Sequence, residues 1–167
     1  MKRQRTKQLA ECALLIALHI ILSRFCSINA WNIKIGLAFV PIFAAAYLLG
    51  PAAAALVGGA GDFLGAVLFP IGPYFPGFTL TCALTGVLFG LLLHKRCGAV
   101  RIAGAVILDQ AVLSLLLNSF WICVLYGSPY LPLLGTRIVQ CVIMLPVEFL
   151  VITFLSRALL RSREVLV

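Results

Sequence analysis

The stretch Gly61–Leu80, GDFLGAVLFPIGPYFPGFTL, sets a carboxylate, Asp62, inside an apolar run. The run then breaks into Pro70, Pro73 and Pro76, interleaved with Tyr74, Phe75 and Phe78. Proline removes a backbone donor and ends a helix, so the stretch predicts a rigid aromatic loop between two hydrophobic segments. Ordered loops with exposed rings are where binding residues concentrate. Further along, Asn118 and Trp121 stand three apart with Ser114 a turn below, and Arg137 and Gln140 repeat the spacing. Side chains so spaced share a helix face. The cations Arg24, Lys34 and Arg137 lie in or beside the connectors that carry Trp31, Tyr74, Phe75, Phe78 and Tyr130. The chemistry of such a set is recognition of a flat anion: rings stack on aromatic faces, and guanidinium grips carboxylate as a fork. The same residues would also serve as an interfacial aromatic belt with snorkelling cations.

Asp62, Asp109 and Glu148 each fall within an apolar segment. A carboxylate near mid-bilayer costs ~2.5–3.5 kcal/mol, so each must face a cavity or a partner. The functional reading makes one of them an acceptor for a ligand's amino groups or a proton relay. The other makes them internal pairs that fix the helices. Asp62, just below the aromatic loop, is the candidate for the ligand, whereas Asp109 and Glu148, towards the inner half, read as structural. His19, alone in its segment, reads as a satisfied packing residue. Catalysis finds little support, because H-E-x-x-H, G-x-S-x-G, a Walker A loop and clustered aspartates are all absent. The six cysteines form no C-x-x-C pair and behave as small hydrophobes, so no metal site or disulfide framework is expected.

These residues must be positioned by membrane-crossing helices. The chain has 167 residues, of which 63% are hydrophobic, and a mean hydropathy of +1.13. A soluble domain of that size cannot hide so much apolar surface. The segments are continuously apolar, which predicts an all-α polytopic membrane protein and disfavours a transmembrane β-barrel. Six spans are expected within one domain, 1–167: Gln8–Ser23, Ile35–Leu49, Ala52–Phe69, Phe78–Leu93, Ile102–Tyr126 and Thr136–Leu155. The connector Arg24–Lys34 is polar and aromatic, Gly50–Pro51 is a tight turn, and Tyr130–Gly135 is a short loop after the break Gly127-Ser128-Pro129. The basic start MKRQRTK precedes an apolar stretch too long for a signal peptide, so it reads as an uncleaved first span.

The net charge of +8 sorts by topology, which explains it without nucleic acid. With the N-terminus inside, Lys2, Arg3, Arg5, Lys7, Lys95, Arg96, Arg101, Arg157, Arg161 and Arg163 gather on the inner side, leaving only Arg24, Lys34 and Arg137 outside. Both termini are therefore expected in the cytoplasm. Small residues repeat at helical spacing: Ala10, Ala13 and Ala17 in the first span, Gly58, Gly61 and Gly65 in the third, Gly86 and Gly90 in the fourth. Such strips let helices approach closely, within one protein or against a partner subunit.

From Ile35 to Leu91 the chain resembles the substrate-binding S components of energy-coupling-factor (ECF) vitamin transporters, and most closely the folate-specific members. The hallmark is Gly61-Asp62 followed by Phe69-Pro70-Ile71-Gly72-Pro73-Tyr74-Phe75-Pro76-Gly77-Phe78-Thr79. The resemblance implies a non-enzymatic six-helix protein of the cytoplasmic membrane that binds a vitamin in an outward-facing pocket. It implies docking through an alanine strip, Ala13 and Ala17 here, onto a transmembrane coupling protein carrying two ATPases. ATP is then used by those partners and no cofactor is held in this chain. For folate, the expected pocket has Tyr74, Phe75 and Trp121 stacking on the pterin beside Phe78, Asp62, Asn118 and Gln140 hydrogen-bonding it, and Arg24 and Arg137 holding the glutamate tail. An S component for riboflavin, thiamin or another vitamin is the near alternative; a structural subunit or a lipid-modifying enzyme is the distant one.

Overall fold

The computed structural model describes residues 2–30, 33–95 and 97–165, with side chains described for 6–27, 36–95 and 97–159. Trp31, Asn32 and Arg96, which enter the aromatic and charge expectations, lie outside the described residues. So do the side chains of Lys2, Arg3, Arg5, Asn29, Lys34, Arg161 and Arg163.

The body is helical: α1 (Lys2–Arg24), α2 (Phe39–Leu48), α3 (Pro51–Leu68), α4 (Pro76–Leu93), α5 (Ala99–Leu108), α6 (Asn118–Tyr126) and α7 (Tyr130–Val165). A π-helical segment, Asp109–Leu117, joins α5 to α6. Two departures from the all-α expectation sit in the first connector, where β1 (Ser27–Ala30) and β2 (Ile33–Gly36) pair antiparallel with Ser27 opposite Gly36. Alternation of Ile33 and Ile35 with polar Lys34 suits a strand better than a helix. Consequently the expected span Ile35–Leu49 shortens to α2, ten residues or ~15 Å, about half a hydrocarbon core.

Among the described residues, five helical stretches are long and apolar enough to cross a membrane: Thr6–Arg24, Pro51–Leu68, Pro76–Leu93, Ala99–Tyr126 and Tyr130–Leu159. The expected loop Tyr130–Gly135 is instead the start of α7. Pro132 fits there because the first turn of a helix has N–H groups with no intrahelical acceptor. The break at Gly127-Ser128-Pro129 stands, with Gly127 left-handed at φ 63°.

The short α2 is the hub. Phe43, Ala45 and Ala46 are fully buried, packed with Ala54, Val57, Phe89, Leu93, Ile102, Val106 and Ile152. Outward faces carry bare apolar side chains such as Leu14, Leu91, Val100, Leu131 and Phe154, the surface that lipid covers. The glycine strips are internal: α3 and α4 touch backbone to backbone, since a Cβ on Gly58 would strike the Cys82 carbonyl and one on Gly86 would strike Ala54.

That contact predicts a contrast between two glycines. Gly86→Ala forces the backbones of α3 and α4 apart and should cost about 3 kcal/mol. Gly104→Ala, which adds a methyl into open space within α5, should be neutral or stabilise by about 0.5–1 kcal/mol. Thermal unfolding of the two variants in detergent checks it, and equal shifts would contradict the close α3–α4 approach.

Candidate functional site

A cavity of about 170 Å³ opens between α1, α2, α4, the π-helical segment and α7. The polar wall comes from a few helical stripes. From α7 come Arg137, Gln140 and Glu148, with Met144 between them, at intervals of three and four residues that keep one α-helical face. From α4 come Thr81 and Thr85, one turn apart. The π-helical segment supplies Asp109, Gln110, Leu113 and Ser114, and α6 adds Asn118.

The π segment explains how Asp109 and Asn118 share one wall. At the ~100° per residue of an α-helix, two residues nine apart would point to opposite sides. The i→i+5 bonds of a π-helix turn the chain by only ~80° per residue, which brings them back to the same side after about two turns. The wider helix is thus a device that lines five side chains from one stretch of chain along the cavity.

Hydrogen bonds hold these groups. Thr85 Oγ1 donates to Asp109 Oδ1 at 2.7 Å, and Gln110 Nε2 donates to Glu148 Oε1 at 2.7 Å. Arg137 Nη2 donates to the Ser114 carbonyl at 3.2 Å. His19 Nδ1 donates to the Ala38 carbonyl at 2.9 Å, so this ring both lines the cavity and ties α1 to the start of α2. Among the described residues, Gln110 Oε1, Asn118 Oδ1 and Glu148 Oε2 are buried with no hydrogen-bond partner. Unmet acceptors in a buried polar wall are costly, and a ligand with donors removes that cost.

The other residues singled out by sequence form a separate cluster. Arg24 Nη2 lies 3.8 Å from Asp62 Oδ1 and donates to the Asp62 carbonyl at 3.4 Å. Thr79 Oγ1 donates to Asp62 Oδ2 at 2.9 Å and lies 3.3 Å from the Tyr74 hydroxyl. Asp62 thus has both carboxylate oxygens met, by Arg24 and Thr79, outside the cavity lining, while Arg24 Nε is buried with no hydrogen-bond partner among the described residues. Among the rings, Tyr74 packs edge-on against Phe63, and Phe75 meets both Phe78 and Trp121, with centroids 6.1 and 5.6 Å apart. Trp121 lies against Gly77, and its Nε1 donates to Thr81 Oγ1 at 3.2 Å. It therefore backs the cavity wall through Thr81. Of the nine substrate residues expected, Asn118, Arg137 and Gln140 line the cavity together; Arg24, Asp62, Tyr74, Phe75, Phe78 and Trp121 are not in its lining. Sequence reading placed Asp109 and Glu148 among structural groups and passed over Thr81, Thr85 and Gln110.

With this geometry the chain can be set against known proteins. Residues 3–159 match the family described as ECF-type riboflavin transporter, S component. The folate transporter FolT of Clostridium novyi is 36% identical over 141 residues, 84% of this chain and 82% of that protein. The chain belongs to the ECF-type S-component family. FolT of Leuconostoc mesenteroides is 28% identical to this S component over 150 residues, covering 86% of this chain and 80% of that protein. A crystal structure of FolT bound with folic acid matches with a TM-score of 0.87 at 28% identity, covering 92% of this chain and 94% of that one. The resemblance read from the proline-aromatic hallmark is borne out at the level of family. The S component is a membrane transport protein and not an enzyme.

The Arg24–Asp62 pair makes its own prediction. Its side chains are only 12% and 11% exposed, and breaking a buried pair strands a charge at a cost of about 3–5 kcal/mol. Arg24→Leu or Asp62→Leu alone should each destabilise by about that much, whereas the double variant should lose clearly less than their sum. Melting temperatures of the three unliganded variants test it; additive losses would dissolve the pair.

Proposed function

We propose that this S component captures folate from outside the cell and hands it, through a transmembrane coupling protein, to an import step driven by two ATPases. The observation that carries this reading is the chain-long likeness to FolT bound with folic acid. The polar cavity that the fold builds supports it. The cavity is smaller than the ~300–1,000 Å³ of a site enclosing a whole drug-sized ligand, so it receives the ring and leaves the tail towards the opening. Asn118 and Gln140 hydrogen-bond the pterin. The glutamate tail goes to Arg137, the one lysine or arginine among the described cavity residues, because Arg24 already holds Asp62. The first connector and the proline-aromatic loop gate the entrance: Tyr74 in that loop and Phe78 in the first turn of α4 belong to the gate, while Phe75 and Trp121, tilted at 48° to one another, form an aromatic wall from which one ring can turn onto the pterin.

The chain acts as one domain, 1–167, in the cytoplasmic membrane. Six crossings follow when α2 is counted with the β1–β2 hairpin, and the excess of Lys and Arg on one side puts both termini in the cytoplasm. The alanine strip faces outward: Ala10, Ala13 and Ala17 are exposed on α1. A smooth exposed strip on a membrane helix suits close docking of another helix, and we assign it to the coupling protein. A riboflavin S component is the second reading, favoured by the description of the matching family.

Titration calorimetry of folate, riboflavin and thiamin into the detergent-solubilised protein separates the readings. Tight one-to-one folate binding without ATP is expected; riboflavin or thiamin bound in its place would overturn the folate assignment. For the docking strip, Ala13→Leu with Ala17→Leu should abolish vitamin uptake by cells carrying the coupling module and leave folate affinity within about threefold. Loss of both would return the strip to internal packing.

A further inference from the structure

Glu148 and Gln110 are 3% and 4% exposed, line the cavity, and are bonded to each other. A carboxylate oxygen accepts, so the Gln110 atom facing it is the amide nitrogen, and Gln110 Oε1 is left over. Each partner therefore keeps one buried acceptor, Glu148 Oε2 and Gln110 Oε1, with no protein donor among the described residues. Asp109 stands beside them in the wall with Oδ1 held by Thr85. This end of the cavity offers acceptors and anchored carboxylates, while the cation Arg137 is two turns or more away along α7.

Resting on the folate reading, we propose that Glu148, positioned by Gln110, is the residue that selects a ring carrying an amino group next to a ring N–H. A 2-amino-4-oxopyrimidine edge presents those two donors side by side, the pattern by which a guanidinium meets a carboxylate. A flavin offers carbonyl oxygens on both sides of its ring N–H, so two acceptors would meet acceptors. A site built to hydrogen-bond a donor rejects an analogue lacking it far more strongly than an apolar pocket does, because its own polar groups are left unpaired. Selection among vitamins thus rests on a carboxylate deep in the helix bundle, remote from the proline-aromatic loop.

The test uses calorimetry of the whole detergent-solubilised protein with folate and with its 2-desamino analogue, in which hydrogen replaces the amino group. Wild type should prefer folate by a large factor. Glu148→Gln, which keeps the shape and turns an amide N–H₂ towards the ring donors, should weaken folate roughly 10- to 100-fold. It should leave the desamino analogue within about threefold. Gln110→Met, which releases the carboxylate from its holder, should also shrink the preference. It serves as the deciding variant if the melting point of unliganded Glu148→Gln shows that it does not fold. Equal weakening of both ligands, or no change in folate affinity, would overturn the role of Glu148. Absence of folate binding by wild type would overturn the folate reading itself, a result visible before any variant is made.

Discussion

A polar group in hydrocarbon has no water to turn to, and this constraint organises the S component. Each acidic or basic side chain described inside the bundle has a polar partner or faces the cavity. Arg24 and Asp62 answer one another across α1 and α3, with Thr79 completing the carboxylate. Asp109 and Glu148 are each held by one neutral donor, Thr85 and Gln110. In the first, both carboxylate oxygens of Asp62 are met, while Arg24 Nε is buried with no hydrogen-bond partner among the described residues. The second leaves carboxylate and amide oxygens unmet in the cavity wall, Glu148 Oε2 and Gln110 Oε1.

The two arrangements occupy different halves of the molecule. Where α3 meets α4, Gly58 and Gly86 let the backbones touch, with small side chains such as Ala83 and the Pro51 ring beside them. On the other side of α4, Thr81 and Thr85 meet Ser114 of the π-helical segment and Asn118 of α6, short side chains that leave a hollow whose remaining wall is Arg137, Gln140, Met144 and Glu148 of α7. Close approach on one side and short polar side chains on the other give a stiff wall with a polar hollow behind it. The π segment adds width, because its looser winding turns Asp109, Gln110 and Asn118 inwards together at the price of less favourable backbone bonding.

Much of this was legible in the sequence. Hydropathy located the helices, Gly127-Ser128-Pro129 marked a true break, and Arg137 with Gln140 announced a wall of the cavity. The same stripe continued by two steps of four reaches Met144 and then Glu148, so Glu148 is readable from the spacing of Arg137 and Gln140. Other features were hidden for physical reasons. No local signal distinguishes a π-helix from an α-helix, since both are apolar and lack proline, and α-spacing tied Asn118 to Trp121 when it faces Asp109. The split of Arg24 and Asp62 from the cavity was equally hidden, because pairing across 38 positions is a tertiary fact. The hairpin of the first connector was masked by hydrophobic Ile33 and Ile35, which count towards a span as readily as towards a strand.

A family described by one vitamin can match a chain whose curated relatives carry another, and the structure indicates how. The match runs over residues 3–159, a length that in this chain is mostly apolar helix and turn. Those features build the bundle whatever it binds. The proposed ligand-binding positions are a handful of polar residues, chiefly on α4, the π segment and α7, and function set by such a site can change while the scaffold stays. The alanine strip on α1, proposed above for docking, is almost independent of them: α1 reaches the cavity through His19, which also holds the start of α2, while Ala13 and Ala17 are exposed on another face. A common coupling surface and a replaceable pocket can therefore sit on one short chain without constraining each other, since the residues that serve them lie on different faces and share no hydrogen bond.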